Sequence, residues 1–282
     1  IAGDLTGKAI IPIIHQGSGH YRASLSSETY EIDTQNELQQ LQKRMADRGY
    51  YPYITTPEEV EDLHQHPQRM DELFHAQIIQ RVTEWVALAE ERLRGMGVQF
   101  YMMPGNDDPF AIDEVIAQSS FVVNPVGRTI ALDTHHELVS FAHSNRTPWK
   151  LPREWDEEEY YQRIIETANA VKHIAQAVFM IHVPPYDSGL DSAPALDEQL
   201  RPKATMGGLL TAPVGSTGVR RALQELQPLV SIHGHIHESP GQGKIGRTVC
   251  LNAGSEYAQG ILRGFIFDLG KDKLARAFRV QG

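Results

Sequence analysis

Cysteine is nearly absent from this sequence, which has one, Cys250, among 282 residues. A single cysteine cannot form a disulfide within the chain, and it excludes a metal site built from several thiolates. Cys250 lies in Arg247-Thr248-Val249-Cys250-Leu251, a segment with the composition of a β-strand, so we interpret it as a small buried apolar residue. The absence of disulfides fits the reducing cytoplasm, which is the location that we expect.

Long apolar runs and an excess of positive charge are missing as well. We find neither a signal peptide nor a run approaching the roughly 20 apolar residues of a membrane-spanning helix, so we expect no membrane partner. The formal net charge is -10. This charge disfavours nonspecific binding to a nucleic acid, although metal ions can supply positive charge locally. The first residues, Ile1-Ala2-Gly3-Asp4, have the pattern of a strand end, and we expect a further strand before them.

The length and the apolar content indicate one large domain. Hydrophobic residues make up 41% of the 282 residues, enough for a sizeable core. Strands and helices alternate in the first part of the chain, and strands follow one another in the last part. We therefore predict an α/β (α+β) fold with two sheets covered by helices. We assign residues 1–282 to one domain and residues 20–97 to a mostly helical insertion within it.

Three helices and a β-hairpin are predicted at the start of the chain. Turn residues and loose alternation indicate a hairpin over residues 20–32, and apolar residues at helical spacing indicate a first helix over residues 38–45. Thr56-Pro57-Glu58-Glu59 predicts the start of a second helix, with a capping side chain, a first-turn proline and two acids. An apolar stripe predicts a long third helix over about residues 68–94.

Four apolar segments end at polar residues that can bind metal ions. These segment ends are Gly3-Asp4, Gly105-Asn106-Asp107-Asp108 after residues 98–103, His182 after residues 177–181, and Gly234-His235-Ile236-His237 after residues 229–232. In open α/β sheets, ligands bind beyond the carboxyl ends of the strands, so residues far apart in sequence can converge there. Their oxygen and nitrogen donors suit Mn, Fe, Zn, Ni or Mg more than thiophilic ions.

In this order, the motifs Gly-Asp-x-x-Gly, Gly-Asn-(His/Asp)-(Asp/Glu), His-x-Pro-Pro and Gly-His-x-His resemble those of the calcineurin-like metallophosphoesterases. The resemblance runs from Asp4 to His237, and the chain is similar to a long archaeal and bacterial branch of that family. It implies a four-layer αββα sandwich of two mixed sheets flanked by helices. It also implies a small phosphorylated substrate, a phosphomono- or phosphodiester, hydrolysed by a hydroxide that bridges two divalent metal ions.

The resemblance gives each ligand a role. Asp4 would bridge the two ions, His237 would bind the first ion, and Asn106, His182 and His235 would complete the second site with Asp4. The family's other ligands of the first ion, in an Asp-x-His motif, would lie on the strand that we expect before Ile1.

Three further features leave alternatives open. Asp133-Thr134-His135 is out of order for the Asp-x-His motif, and we interpret it as a turn. His233 is either a residue that supports a ligand or a packing residue. Arg146 either binds phosphate or anchors its loop.

The Gly-Asn motif departs from the family pattern. Asp107 stands where many members have a histidine that contacts the phosphate, and Asp108 follows it. We assign both aspartates to the catalytic group. An ionised carboxylate would repel a phosphate, so Asp107 would be protonated, coupled to metal or turned away. The alternative is that Asp107 caps a helix beginning near Pro109.

Two other functions remain as rivals to the phosphoesterase. The first is a nuclease of the same family, against which the acidic balance argues. The second is a binding scaffold that keeps the fold without metal chemistry, which the five metal-ligand residues disfavour. In the enzyme, the insertion at residues 20–97 would cap the site and select the substrate.

Overall fold

The computed structural model describes residues 1–25 and 27–282, which separate into two compact units. The smaller unit comprises Thr6–Leu88 and Glu256–Leu262, and the larger unit comprises Ile1–Leu5, Ala89–Ser255 and Arg263–Gly282.

The smaller unit is a four-stranded sheet with helices. Its elements are β1 (Ala9–Gly17), β2 (His20–Leu25), β3 (Glu28–Ile32), α1 (Gln35–Asp47), β4 (Tyr50–Thr55), α2 (Pro57–Gln65) and α3 (Pro67–Leu93), whose last residues belong to the larger unit. The strand order is β3-β2-β1-β4, with β1 parallel to β4 and antiparallel to β2. Because β1 is an inner strand that ends before residue 20, this unit begins earlier than the predicted insertion. The insertion over residues 20–97 stays a prediction.

The three helices and the hairpin of this unit are confirmed. Thr34 and Glu37 form a capping box at the start of α1, and the Thr56 hydroxyl accepts a hydrogen bond from the Glu59 amide at the start of α2. Leu38, Leu41 and Met45 are buried on one side of α1, where they join a core cluster with residues of the sheet. The local signals succeed here because capping and helical periodicity are properties of neighbouring residues.

The larger unit contains the remaining strands and helices. They are β5 (Phe100–Tyr101), α4 (Ala111–Ala117), β6 (Val122–Val123), β7 (Thr129–Ala131), β8 (Glu137–Phe141), β9 (Ser144–Asn145), β10 (Glu154–Trp155), α5 (Glu157–Ala168), β11 (Val178–Ile181), β12 (Ser192–Pro194), β13 (Ala204–Thr205), β14 (Gly208–Leu209), β15 (Thr211–Pro213), α6 (Thr217–Leu226), β16 (Val230–His233), β17 (Gly241–Ile245), β18 (Thr248–Asn252), β19 (Arg263–Gly270) and β20 (Lys273–Gln281).

A six-stranded mixed sheet is the centre of the larger unit. Its order is β17-β18-β16-β11-β8-β7, in which β18, β16, β11 and β8 are parallel and the two edge strands are antiparallel to their neighbours. The carboxyl ends of the four parallel strands therefore meet at one edge of the sheet. The hydrogen bonds continue past the strands, because the His182 amide donates to the Phe141 carbonyl and the Gly234 amide donates to the His182 carbonyl, both at 2.9 Å.

Both faces of the central strands are covered. Val139, Phe141 and Phe179 share a core cluster with residues of α5 and α6. On the other face, Val230 and Leu251 pack against residues of the β19–β20 hairpin. The α/β class with mixed sheets is thus confirmed, and the four-layer sandwich stays a prediction.

Two predicted segments differ from the structure. Residues 98–103 form a strand only at Phe100–Tyr101, extended by a single bridge between Ala2 and Met103. Residues 194–213, which are rich in proline and glycine, contribute to four short strands, β12 to β15. Cys250 is fully buried as expected, and burial raises the pKa of its thiol to about 12. Among the described residues, no helix combines the length and the apolar character needed to cross a membrane.

Arg153, immediately before β10, fixes the loop that follows Gly105. Its side chain is 2% exposed; Nε donates to the Asp108 carbonyl, Nη2 to the Pro109 carbonyl, and Nη1 to the Asp113 carboxylate. Its amide also donates to the Asn106 carbonyl at 3.1 Å. A buried guanidinium that donates to two carbonyls of this loop and to a carboxylate of α4 holds the loop more firmly than backbone turns alone.

We expect Arg153→Met to lower the free energy of unfolding by about 3 kcal/mol, since it removes a buried cation that donates to two loop carbonyls and pairs with Asp113. Chemical denaturation followed by circular dichroism measures the loss. Arg276→Met is the control, because Arg276 is 71% exposed in its ion pair with Asp268, and such pairs contribute less than about 1 kcal/mol. Equal effects of the two substitutions would contradict the assignment.

Candidate metal centre

Asp4 lies at the start of the larger unit in a sharply turned backbone. Gly3 and Asp4 both have positive φ angles, 108° and 50°. The Asp4 side chain is 16% exposed. Gly105 is packed against it so closely that a β-carbon at Gly105 would lie 2.2 Å from both the Asp4 amide nitrogen and Oδ1. The glycine therefore allows two chain segments, about a hundred residues apart, to meet at the carboxylate.

Asp108 holds these two segments together. Its side chain is fully buried, and Oδ2 accepts hydrogen bonds from the Leu5 amide at 2.9 Å and the Gly105 amide at 2.7 Å. Because this one buried oxygen accepts both hydrogen bonds, it fixes the backbone of Leu5, next to Asp4, and that of Gly105, which packs against Asp4. These contacts give Asp108 a positioning role, and its assignment to the catalytic group stays a prediction.

The His182 imidazole connects a backbone carbonyl to the polar cluster. Its side chain is 1% exposed; Nδ1 lies 3.0 Å from the Ala2 carbonyl oxygen, and Nε2 lies 3.2 Å from Asp4 Oδ1. A carbonyl can only accept, so Nδ1 carries a proton. Nε2 then faces a carboxylate oxygen either as a second N–H of an imidazolium or as a lone pair with a cation between the two atoms. Metal-binding histidines commonly donate their other ring nitrogen to a carbonyl in this way.

Asn106 and His235 complete a group of donor atoms. Asn106 Oδ1 lies 3.1 Å from His182 Nε2 and 3.0 Å from His235 Nδ1, while Asn106 Nδ2 is buried without a hydrogen-bond partner. His235 has a φ angle of 61°, which turns the chain at the strand end. The Asn106 side chain thus directs its oxygen, and not its nitrogen, towards the two histidine rings. A cation bound among these atoms would require this orientation.

His237 lies on the other side of the same carboxylate. Its Nε2 is 3.8 Å from Asp4 Oδ2, and its side chain is 28% exposed. The loop that carries both histidines is held by Asn252, whose buried Nδ2 donates to the carbonyls of Leu190, Ile236 and Ser239 at distances of 2.8–3.1 Å. The two oxygens of Asp4 thus face different histidines.

The Asp4 carboxylate and the His182 imidazole shift each other's pKa. Burial alone would raise the pKa of Asp4, but attraction to His182 and hydrogen bonds from His182 and His237 outweigh it, and the pKa lies well below its usual value. Burial alone would lower the pKa of His182, but the charge of Asp4 and hydrogen bonds to Asp4 and Ala2 raise it above 6.5. Asp4 and His182 therefore stabilise each other's charged forms.

The donor atoms fit a divalent metal ion. Ligand atoms of Asp4, His182 and His235 lie within 4.8 Å of one another, and the Asn106 oxygen lies beside the two histidines. Two oxygens and two imidazole nitrogens suit Mn, Fe, Zn, Ni or a similar borderline ion. His237 lies beside Asp4 Oδ2, and its role as a ligand of a first site stays a prediction, as do the Asp-x-His ligands of that site.

Asp107 lies beside Asp4 in a cluster of three carboxylates. Oxygens of Asp4, Asp107 and Asp108 lie within 4.8 Å of one another, and Asp107 Oδ1 is buried. Asp107 does not cap a helix: α4 begins at Ala111 behind Phe110, and its N-terminus has no side-chain cap. The capping alternative is therefore wrong. A catalytic role for Asp107 stays a prediction.

The contacts of the other polar residues bear on their alternatives. Arg146 pairs with Asp156 at 3.0 Å, which supports the loop-anchor interpretation, and phosphate binding by Arg146 stays a prediction. Asp133 accepts hydrogen bonds from the amides of His135 and His136, which confirms a turn. His233 is fully buried with Nδ1 between the carbonyls of Ile181 and Val183, at 2.9 and 3.0 Å. These bonds tie the end of β16 to β11 and show His233 supporting the strand ends that carry the ligands.

Sequence reasoning missed three residues near this centre. Arg153 and Asn252 act on backbone carbonyls, and neither has a local pattern that reveals this. His143, just beyond β8, stacks on Trp155 with the ring centroids 3.5 Å apart. Burial and the positive charges of Arg153, Arg163 and His182 lower the pKa of His143 to about 4. The one available signal was its place after an apolar strand, as for His182.

Comparison with known proteins gives partial matches. No family model matches the chain. The uncharacterized protein MJ1162 of Methanocaldococcus jannaschii is 31% identical over 153 residues, which cover 53% of this chain and 61% of that protein. The match therefore spans less than two thirds of that relative's own length.

Two solved structures from Thermus thermophilus align with part of this chain. The protein TT1561 has a TM-score of 0.43 and 12% identity, over 66% of this chain and 73% of its own. The sulfate thiohydrolase SoxB, in complex with glycerol, has a TM-score of 0.38 and 12% identity, over 87% of this chain and 41% of its own. Both TM-scores are below 0.5, so neither structure establishes the fold or a function of this chain. The interpretation of the centre rests on its own residues.

We expect the affinity for Mn²⁺ to fall as the pH falls. His182 has a raised pKa, so below that pKa a metal ion must displace its proton, and the dissociation constant should rise by about tenfold per pH unit. Isothermal titration at pH 6, 7 and 8, in buffers of different ionisation enthalpy, measures both the affinity and the released proton.

His235→Ala should weaken Mn²⁺ binding by about tenfold or more, whereas His75→Ala, on the exposed surface of α3, serves as the matched control. Binding that is independent of pH, or equal losses in the two variants, would contradict the ligand assignment.

Proposed function

We propose that this protein is a metal-dependent phosphoesterase that hydrolyses a small phosphomono- or phosphodiester in the cytoplasm. The observation that carries the proposal is the convergence of Asp4, Asn106, His182 and His235 from four separate strand ends on one cluster of donor atoms. Divalent ions held there would activate water as a nucleophile and offset the negative charge of a phosphoryl group. The motif resemblance supports the same reaction.

Two ions, rather than one, are supported by the geometry of Asp4. Its Oδ1 faces His182 at 3.2 Å, and its Oδ2 faces His237 at 3.8 Å. A carboxylate that presents its two oxygens to two separate donors can be shared by neighbouring cations. We therefore propose Asp4 as the bridging ligand and His237 as a ligand of the first site.

The other residues of the centre would hold these ligands in place. Asp108 and Arg153 fix the backbone that carries Asp4 and Asn106, and the Ala2 carbonyl orients His182. Such pre-positioned ligands bind without reorganising the site, which favours catalysis by electrostatic stabilisation. Asp107 remains our candidate for a side chain that contacts the substrate.

A small substrate is favoured over a nucleic acid. The chain has 26 basic and 36 acidic residues, and long polyanions bind proteins chiefly through clusters of Lys and Arg. A binding scaffold without metal chemistry would bind no metal ion. A measurement of bound metal therefore distinguishes the scaffold from the enzyme.

We expect Asp4→Asn to lower kcat/KM for bis-p-nitrophenyl phosphate with Mn²⁺ by about 100-fold or more, because a neutral amide cannot bridge two cations. Release of p-nitrophenol measures the rate, and metal analysis of the same samples measures Mn²⁺ content. The fold is checked by circular dichroism.

Asp71→Asn, at an exposed position on α3, is the matched control and should retain wild-type activity. Near-normal turnover by a folded Asp4→Asn protein would refute the proposed mechanism. A wild-type protein that binds no Mn²⁺ and shows no turnover would favour the scaffold.

A further inference from the structure

A second concave site lies in the larger unit beside the turn between β17 and β18. The cavity has a volume of about 470 Å³, and its apolar floor includes Leu229, Val249 and Leu274. Small-molecule sites typically measure about 300–1,000 Å³, so one small ligand fits. Leu229 precedes β16 and Val249 is near the start of β18, which places the cavity at the amino ends of these parallel strands.

The cavity concentrates positive charge in an acidic protein. Lys244, Arg247 and Lys273 line it together with a single acid, Asp272, whereas the whole chain has a net charge of -10. Within residues 1–25 and 27–282, neither lysine side chain has an ion-pair partner. Cations gathered around a concave surface attract anions more strongly than the same cations dispersed over a convex one.

The rim of the cavity is held by hydrogen bonds to one short helical turn, Ile174–Gln176. Arg247 Nη2 donates to the Ala175 carbonyl at 2.8 Å, and Gln176 Nε2 donates to Asp272 Oδ1 at 2.7 Å. The backbone of the β17–β18 turn is fixed as well, because the Arg247 amide donates to Gln227 Oε1 at 2.6 Å. The two turns that carry the charges are thus braced in the folded protein.

We infer that this cavity binds a small organic phosphate. Lys244, Arg247 and Lys273 would hold the phosphate group, since three cations suit its two charges better than the single charge of a carboxylate. The apolar part of the ligand would contact Leu229 and Val249.

The cavity is separate from the metal centre. The four-residue step from Leu229 to His233 spans roughly 13 Å of extended strand, so the cavity and the ligand-bearing ends of the strands are at opposite edges of one sheet. The inference does not rest on the proposed phosphoesterase activity.

The test uses phenylphosphonate, which carries an anionic head and an apolar ring and has no phosphoester bond to hydrolyse. It is titrated into the ¹⁵N-labelled full chain with Zn²⁺ present, because this diamagnetic ion leaves the amide signals near the metal centre visible. The amides of Gly246 and Arg247 report on the cavity, and those of Asn106 and Gly234 report on the metal centre. We expect saturable shifts at Arg247 with their own dissociation constant.

The variants change the charge of the cavity in both directions. The double substitution Lys244→Gln and Lys273→Gln should raise the dissociation constant at Arg247 by about tenfold or more, and should leave that at Gly234 unchanged. Asp272→Asn should lower the constant at Arg247, because it removes the one opposing charge. Lys43→Gln, on α1 of the smaller unit, is the matched control and should change neither constant.

The inference is overturned if Arg247 shows no saturable shift, or if the double variant and the Lys43→Gln control bind phenylphosphonate equally. It is also overturned if a single-stranded oligonucleotide shifts Arg247 while phenylphosphonate does not. If the amides of Asn106 and Gly234 do not shift while the ligand still binds at Arg247, the result counts against the phosphoesterase proposal alone. An unchanged amide spectrum outside the cavity verifies that each variant is folded.

Discussion

The metal centre depends on the position of the His182 imidazole between a backbone carbonyl and a carboxylate. The Ala2 carbonyl fixes the proton on Nδ1, so Nε2 can only meet Asp4 as a protonated nitrogen or through a cation. The ring is almost fully buried, and an unbalanced charge there would be costly. Asp4, Asn106 and His235 surround this nitrogen, and their orientation follows from the need to balance it.

Different kinds of side chains gather at the two ends of the parallel strands in the six-stranded sheet. Carboxylates and histidines gather beyond the carboxyl ends of β11 and β16, and lysines and an arginine gather around the cavity near the amino ends of β16 and β18. Asp4, His182 and His235 lie beyond strand ends, whereas Lys244 lies in β17 and Lys273 begins β20. The buried strands between the two places keep them apart.

The candidate ligands were predictable from sequence because each follows an apolar segment. His182 directly follows β11 and His235 lies just beyond β16, whereas Asp4 and Asn106 follow a single bridge between Ala2 and Met103. Parallel strands bring such segment ends together. The roles of Asp108 and Arg153 were not predictable. Their partners are backbone groups of Leu5, Gly105 and Pro109, and backbone carbonyls and amides carry no sequence signature.

The sequence by itself determined the helices and the hairpin of the smaller unit and two inner strands of the central sheet, β11 and β16, and it predicted the candidate ligands. Capping, periodicity and the change from apolar to polar residues at a strand end depend only on neighbours in the chain. Tertiary structure alone decided that Asp4 presents its two oxygens to two histidines, that Asp108 holds the backbone, and that scattered lysines share a cavity. Such relations depend on distances between segments far apart in sequence, which are set only when the sheet forms and its loops pack.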